Sequence, residues 1–165
     1  MQWRAITALV LIAALLWPGA ANATQSDEPV VRRAIESNIE LDPGRQATRL
    51  PRVSLDDSNG DLTVIFAMRR PPGDDPTQIV AFATDDVFTI LWAVYASGSA
   101  PRIKTVTVLG TYAVVGRYAR PREIPLMRAV LTAERAASLD WTTVVNADPR
   151  NLLDVWWIEG ELGGG

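Results

Sequence analysis

The chain has 165 residues, no cysteine, no histidine and a formal charge of −3. Those counts exclude thiolate nucleophiles, zinc–thiolate and iron–sulfur sites, imidazole general bases and histidine-ligated metals. The acidic balance argues against a nucleic-acid partner, whose backbone calls for a basic excess.

Residues 1–23 read as a signal peptide. Arg4 supplies the positive end, residues 5–17 are apolar, Pro18 and Gly19 break the run, and Ala21-Asn22-Ala23 is a small-x-small cleavage site. The apolar run falls short of the ~20 residues a membrane-spanning helix needs; an uncleaved anchor is the competing reading. No cysteine follows the site, so a lipid-anchored form is not expected, and the sequon at Asn22 straddles the cut. Cleavage after Ala23 removes Arg4 alone among the charged residues, leaving 15 basic side chains with all 19 acidic ones. The cleaved chain is expected to be secreted or extracytoplasmic, with no stable membrane insertion. A domain of that size buries roughly 68% of its unfolded surface, enough for a core without disulfides.

Residues 24–49 form a linker and one short helix. Val30, Val31, Ala34, Ile35 and Ile39 give a one-sided apolar pattern over residues 30–39, and Asp42-Pro43-Gly44 ends it with turn chemistry. Residues 50–160 carry the folded domain. Asn59-Gly60 is the preferred pair for a two-residue type I′ hairpin. Pairing Ser58 with Asp61 sets Leu55 opposite Val64 and Val53 opposite Phe66, with Leu62 and Met68 on the same face. A slip of one residue would turn that set to solvent. Asp56, Asp57 and Asp61 do not make an EF-hand, because Gly60 as the sixth position would put Leu55 at the first. They read as turn residues.

Residues 69–76 are a loop, and residues 77–83 are ambiguous between a strand and an early helix start. Thr84, Asp85 and Asp86 then read as N-cap and first turn of the main helix. Val87, Phe88, Leu91, Val94 and Tyr95 share one helical stripe, with Ile90 beside it and Trp92 on the flank. Gly98 closes the helix in the left-handed conformation, and Pro101 prevents its restart. Residues 103–112, rich in Thr and Val, predict a strand. A basic connector over residues 115–122 leads to a strand over residues 123–131, with Met127, Ala129 and Leu131 alternating against Arg128. Pro125 places that strand's start, or marks an edge. Thr132 caps a short helix over residues 133–139, and Asp148-Pro149 opens a turn that carries Leu152, Leu153 and Trp156 inward. Residues 161–165 predict a flexible glycine tail. The fold class is α+β: a single domain with an antiparallel sheet of about four strands and a main helix packed across one face.

No GxSxG elbow, phosphate-binding glycine loop or dinucleotide fingerprint is present. Carboxylate chemistry is what remains, with Asp85, Asp86, Glu123 and Asp140 as candidates for a hydrolase. Each has a simpler account as cap, turn or solvated face, so no enzyme and no cofactor is expected. Two binding readings survive. Trp141, Trp156 and Trp157 concentrate late in the chain, and adjacent Trp156 and Trp157 cannot both face one core in an extended segment, so one is offered to a partner. Alternatively, Arg117, Tyr118, Arg120 and Arg122 form an anion-reading loop, because guanidinium forks suit oxyanions; Asp74 and Asp75 could likewise hold calcium.

Gly60-x-Leu62-x-Val64, the run from Ile90 to Gly98, Val106-x-Val108-x-Gly110-Thr111-Tyr112, and Leu139-Asp140-Trp141 followed by Asn151-Leu152 resemble a family of small exported bacterial domains. The resemblance spans most of the chain from about Leu50 and implies export and one α+β domain. It implies no activity and no catalytic residue. The resulting expectation is a secreted, non-enzymatic interaction module of the cell envelope, its partner an envelope protein or wall polymer.

Overall fold

The computed structural model describes residues 27–39, 50–69, 71, 73, 75–98, 100–114, 122–144 and 147–160. The expected signal peptide, the glycine tail, Asp74, Arg117, Tyr118 and Arg120 lie outside the described residues.

The first helix, α1, spans Glu28–Asn38. Val31 and Ile35, one turn apart, are fully buried and Ile39 extends the stripe, as the apolar spacing predicts. Strands β1 (Arg52–Asp56) and β2 (Asp61–Ala67) form the hairpin. Its register differs from the two-residue turn: Asp56 pairs with Asp61, Leu55 with Leu62 and Val53 with Val64. Asp56 Oδ1 instead accepts from the Ser58 amide at 3.0 Å and the Ser58 hydroxyl at 2.6 Å, and Asn59 Oδ1 accepts from the Asp61 amide at 2.9 Å. These bonds organise a four-residue loop over 57–60 that the I′ preference does not foresee. The displacement is two residues, so the pleat is preserved and Val53, Leu62, Val64, Phe66 and Met68 remain buried.

Helix α2 runs from Pro76 to Ala96. It begins two turns before the expected cap because Asp75 accepts from the Thr77 amide at 2.9 Å with Pro76 in the first turn. Thr84, Asp85 and Asp86 are therefore mid-helix residues; the Thr84 hydroxyl donates to the Val80 carbonyl at 2.8 Å. The stripe of Val87, Phe88, Ile90, Leu91 and Val94 is buried as its spacing predicts. Gly98 sits at φ +82° after the Ser97 cap. By length and composition α2 could cross a membrane; here its apolar face joins α1 and the sheet in one core.

A single 3-10 turn over Ala100–Arg102 leads to β3 (Thr105–Val114), β4 (Arg122–Thr132), the short helices α3 (Ala133–Ala137) and α4 (Pro149–Leu152), and β5 (Val155–Ile158). The sheet has five strands in the order β1-β2-β3-β4-β5. Two expectations are corrected. The sheet is mixed, because β2 and β3 pair in parallel: a 21-residue helix, about 31 Å long, returns the chain to the end at which β2 began. A fifth strand arises where an inward turn was expected, since four residues are too few for periodicity to register. Pro125 does not start β4, which begins at Arg122. It lies on an edge among the described residues, paired on the β3 side alone, as the second of its two expected placements has it. It sits at the irregularity between Gly110 and Thr111, beyond the Met127–Val130 stretch that β5 covers. Thr132 and Asp148 cap α3 and α4 as expected, with α3 two residues shorter than the pattern.

Across the sheet, Val53, Val64, Val108, Ala129 and Trp156 form one inward row in register. Arg52, Ile65, Leu109, Arg128 and Trp157 form the adjacent outward row. The helices α1 and α2 are packed on the inward side, where the core lies.

Candidate functional site

Two places combine exposed aromatic surface with fixed geometry. The first is a cleft of about 550 Å³ beside α2. Its walls are the end of α1 (Asn38, Ile39), Arg69 after β2, the α2 residues Asp85, Asp86, Phe88, Thr89 and Trp92, and Trp141 with Val144 after α3. Asp85, Thr89 and Trp92 stand at i, i+4 and i+7 and so share one face of the helix. The cleft holds a buried ion pair. Arg69 Nη2 lies 2.9 Å from Asp86 Oδ1 and Nε lies 3.2 Å from Oδ2, with Nη2 also donating to the Phe82 carbonyl at 3.3 Å. The guanidinium carbon is 4.7 Å from the centre of the Phe82 ring. The Asp86 side chain is 8% exposed and that of Arg69 24%.

Trp141 is presented by a tight turn. Asp140 Oδ1 accepts from the Thr142 hydroxyl at 2.6 Å and the Thr142 amide at 3.0 Å, and these bonds hold its carboxyl below the ordinary aspartate range. Behind it, the Tyr95 and Trp141 rings lie 5.9 Å apart at 34°. The Tyr95 hydroxyl donates to the Leu131 carbonyl at 3.3 Å. Burial, with a smaller contribution from the Asp154 charge, pushes Tyr95 up to about 12. A raised folded-state value means the neutral phenol stabilises the fold fully below the ordinary tyrosine value near ~10. That contribution disappears as pH rises from there to about 12. Chemical unfolding at stepped alkaline pH is expected to show this loss in the wild type and a shallower one in Tyr95→Phe; identical slopes would contradict it.

The second place is the β5 edge. Trp157 is 44% exposed and Val155 40%, both on the outward face, while Trp156 turns inward and packs against the core. The Glu159 amide donates to the Leu126 carbonyl at 2.8 Å, in register with the ladder. Alternation then points the Trp156 and Ile158 backbone groups away from β4. Among the described residues, no strand lies on that side. The opposite edge is treated differently. Arg32 Nη2 donates to the Val53 carbonyl at 2.7 Å, Glu28 Oε2 accepts from the Leu55 amide at 3.2 Å, and Glu28 Oε1 lies 2.6 Å from Arg32 Nη2. A salt-bridged pair on α1 thus engages two of the outer backbone groups of β1, the Val53 carbonyl and the Leu55 amide. The Arg32 bond, then the Leu55 amide, hold the Glu28 carboxyl below its ordinary range.

The residues expected from sequence separate on the structure. Trp156 and Trp157 share β5 on opposite faces, and Trp141 lies at the cleft. Arg122 is exposed at the start of β4, six residues and about 20 Å of strand from Arg128 opposite Trp157. Its companions Arg117, Tyr118 and Arg120 are outside the described residues. Asp75 is occupied as the α2 cap. Of the four carboxylates considered for hydrolysis, only Asp85 and Asp86 line one cleft; Glu123 is bonded to Arg52 at 2.9 Å and Asp140 to its own turn. Among the described residues, no cluster of metal-ligating side chains occurs.

Sequence reasoning missed the Arg69–Asp86 pair. The signal was available: Asp86 falls between Ala83 and Ile90 on the buried stripe, where a charge requires a partner. The partner lies 17 residues away and could not be read. No family model, curated protein or solved structure matches this chain. These comparisons show no family resemblance.

Proposed function

We propose that this chain is an exported, single-domain, non-catalytic interaction module of the cell envelope, and that it engages a protein partner along β5. The observation that carries the reading is the contrast between the sheet's two edges. At β1, the side chains of Glu28 and Arg32 occupy two outward backbone groups and cover that edge with α1. At β5, outward backbone groups adjoin an exposed indole and an exposed valine. Uncapped edges accept an added strand, with main-chain bonds giving affinity and alternate side chains giving specificity. The outward row supplies that specificity, with Arg128 between Leu109 and Trp157. Export is supported by the 1–23 pattern, and a single domain by the one core that sheet and helices share.

The test is retention of envelope proteins from the producing cells on the immobilised chain. A discrete protein is expected to be held by the wild type and reduced about tenfold or more by Trp157→Ala and by Val155→Lys, since exposed aromatic anchors dominate such contacts and an edge lysine opposes strand addition. Both variants should unfold within about 1 kcal/mol of wild type, as surface changes do. Equal retention by wild type and variants, with folding intact, refutes the β5 site. A turnover abolished by neutralising one buried acid without loss of folding refutes the non-catalytic reading.

A further inference from the structure

We infer that the cleft beside α2 binds a small organic ammonium ion, a function separate from the β5 edge and independent of it. The charge count comes first. Arg69 is the one cation on the cleft wall among the described residues, and it is committed to both oxygens of Asp86 and to the Phe82 carbonyl. Asp85 is exposed on the same wall, and among the described residues no cation pairs with its carboxylate.

The lining then selects the kind of cation. Trp92, 46% exposed, and the half-buried Trp141 both border the cleft. A helical side chain leans towards its helix N-terminus, so Trp92 covers the turn carrying Thr89, between itself and Asp85. An indole face attracts a cation most strongly when that cation is weakly hydrated, which is the chemistry of aromatic sites for quaternary ammonium groups. A bare metal ion would need several oxygen ligands, and no such cluster occurs among the described residues. An anion would meet the Asp85 carboxylate, and the one guanidinium on the wall among the described residues is held by Asp86. The volume of about 550 Å³ lies within the range of small-molecule sites.

The experiment titrates the full chain with choline chloride, and separately with 3,3-dimethylbutan-1-ol, a neutral compound of the same shape, following the indole N–H resonances by NMR at matched ionic strength. Choline is expected to shift the Trp92 and Trp141 resonances saturably while the alcohol does not. Asp85→Asn, an exposed change that leaves the Arg69–Asp86 pair in place, should weaken choline binding about tenfold, and Trp92→Ala by at least as much. Trp157→Ala should leave choline binding unchanged, which separates this site from β5. The inference fails if choline gives no saturable shift, if the neutral alcohol matches it, or if Asp85→Asn binds choline like wild type.

Discussion

Asp86→Ala is expected to lower the unfolding free energy by about 3 kcal/mol and the melting temperature by roughly 10 °C. The cause is the orphaned cation rather than the lost bond. Asp86 accepts from two guanidinium nitrogens of Arg69 at 2.9 and 3.2 Å. With three-quarters of the Arg69 side chain shielded by its surroundings, removing the carboxylate leaves a desolvated charge against the Phe82 ring. Burying a pair costs desolvation for both ions, so the pair itself adds little net stability, whereas breaking it is expensive. The double variant Arg69→Met with Asp86→Leu should therefore recover to within about 1 kcal/mol of wild type. Urea unfolding of the wild type, Arg69→Met, Asp86→Leu and the double variant measures this as a thermodynamic cycle. A double variant no better than Asp86→Ala would show that packing, and not charge, is lost.

Gly60→Ala is expected to cost about 2–5 kcal/mol, from left-handed backbone strain of ~1–2 and local overpacking of ~1–3. Gly60 sits at φ +79°, and a Cβ there would lie 2.5 Å from the Arg102 carbonyl oxygen and 3.2 Å from Lys104 Cγ. The approach is close because the Gly60 carbonyl accepts from the Lys104 amide at 2.8 Å, tying the hairpin to the entry of β3. The carbonyl belongs to backbone and cannot swing aside as a side chain would. Gly98 is the matched control, with φ +82° but nothing within 4 Å of the added Cβ; Gly98→Ala should cost only the strain, about 1–2 kcal/mol. Equal losses at the two positions, measured by denaturant midpoints, would remove the steric account.

What could be read from the residues is what depends on near neighbours in the chain. The α1 stripe of Val31 and Ile35, the α2 stripe around Leu91, the Gly98 stop, and the caps at Thr132 and Asp148 all follow from spacing within two or three turns. The inward face of the hairpin was legible too, although its register was not. A two-residue shift keeps every side chain on its face, so alternation cannot distinguish the two, and the choice fell to hydrogen bonds of Asp56 and Asn59 within the loop.

The tertiary structure alone decided the rest. It set β2 beside β3 in parallel, made a fifth strand of Val155–Ile158, and put Glu28 and Arg32 against β1. It brought Arg69 to Asp86, and Trp141 to the cleft that Asp85 and Trp92 border. Periodicity records which side of an element is apolar. Which element comes to cover that side, and which edge is left uncovered, depends on contacts between residues far apart in sequence, and no local pattern encodes them.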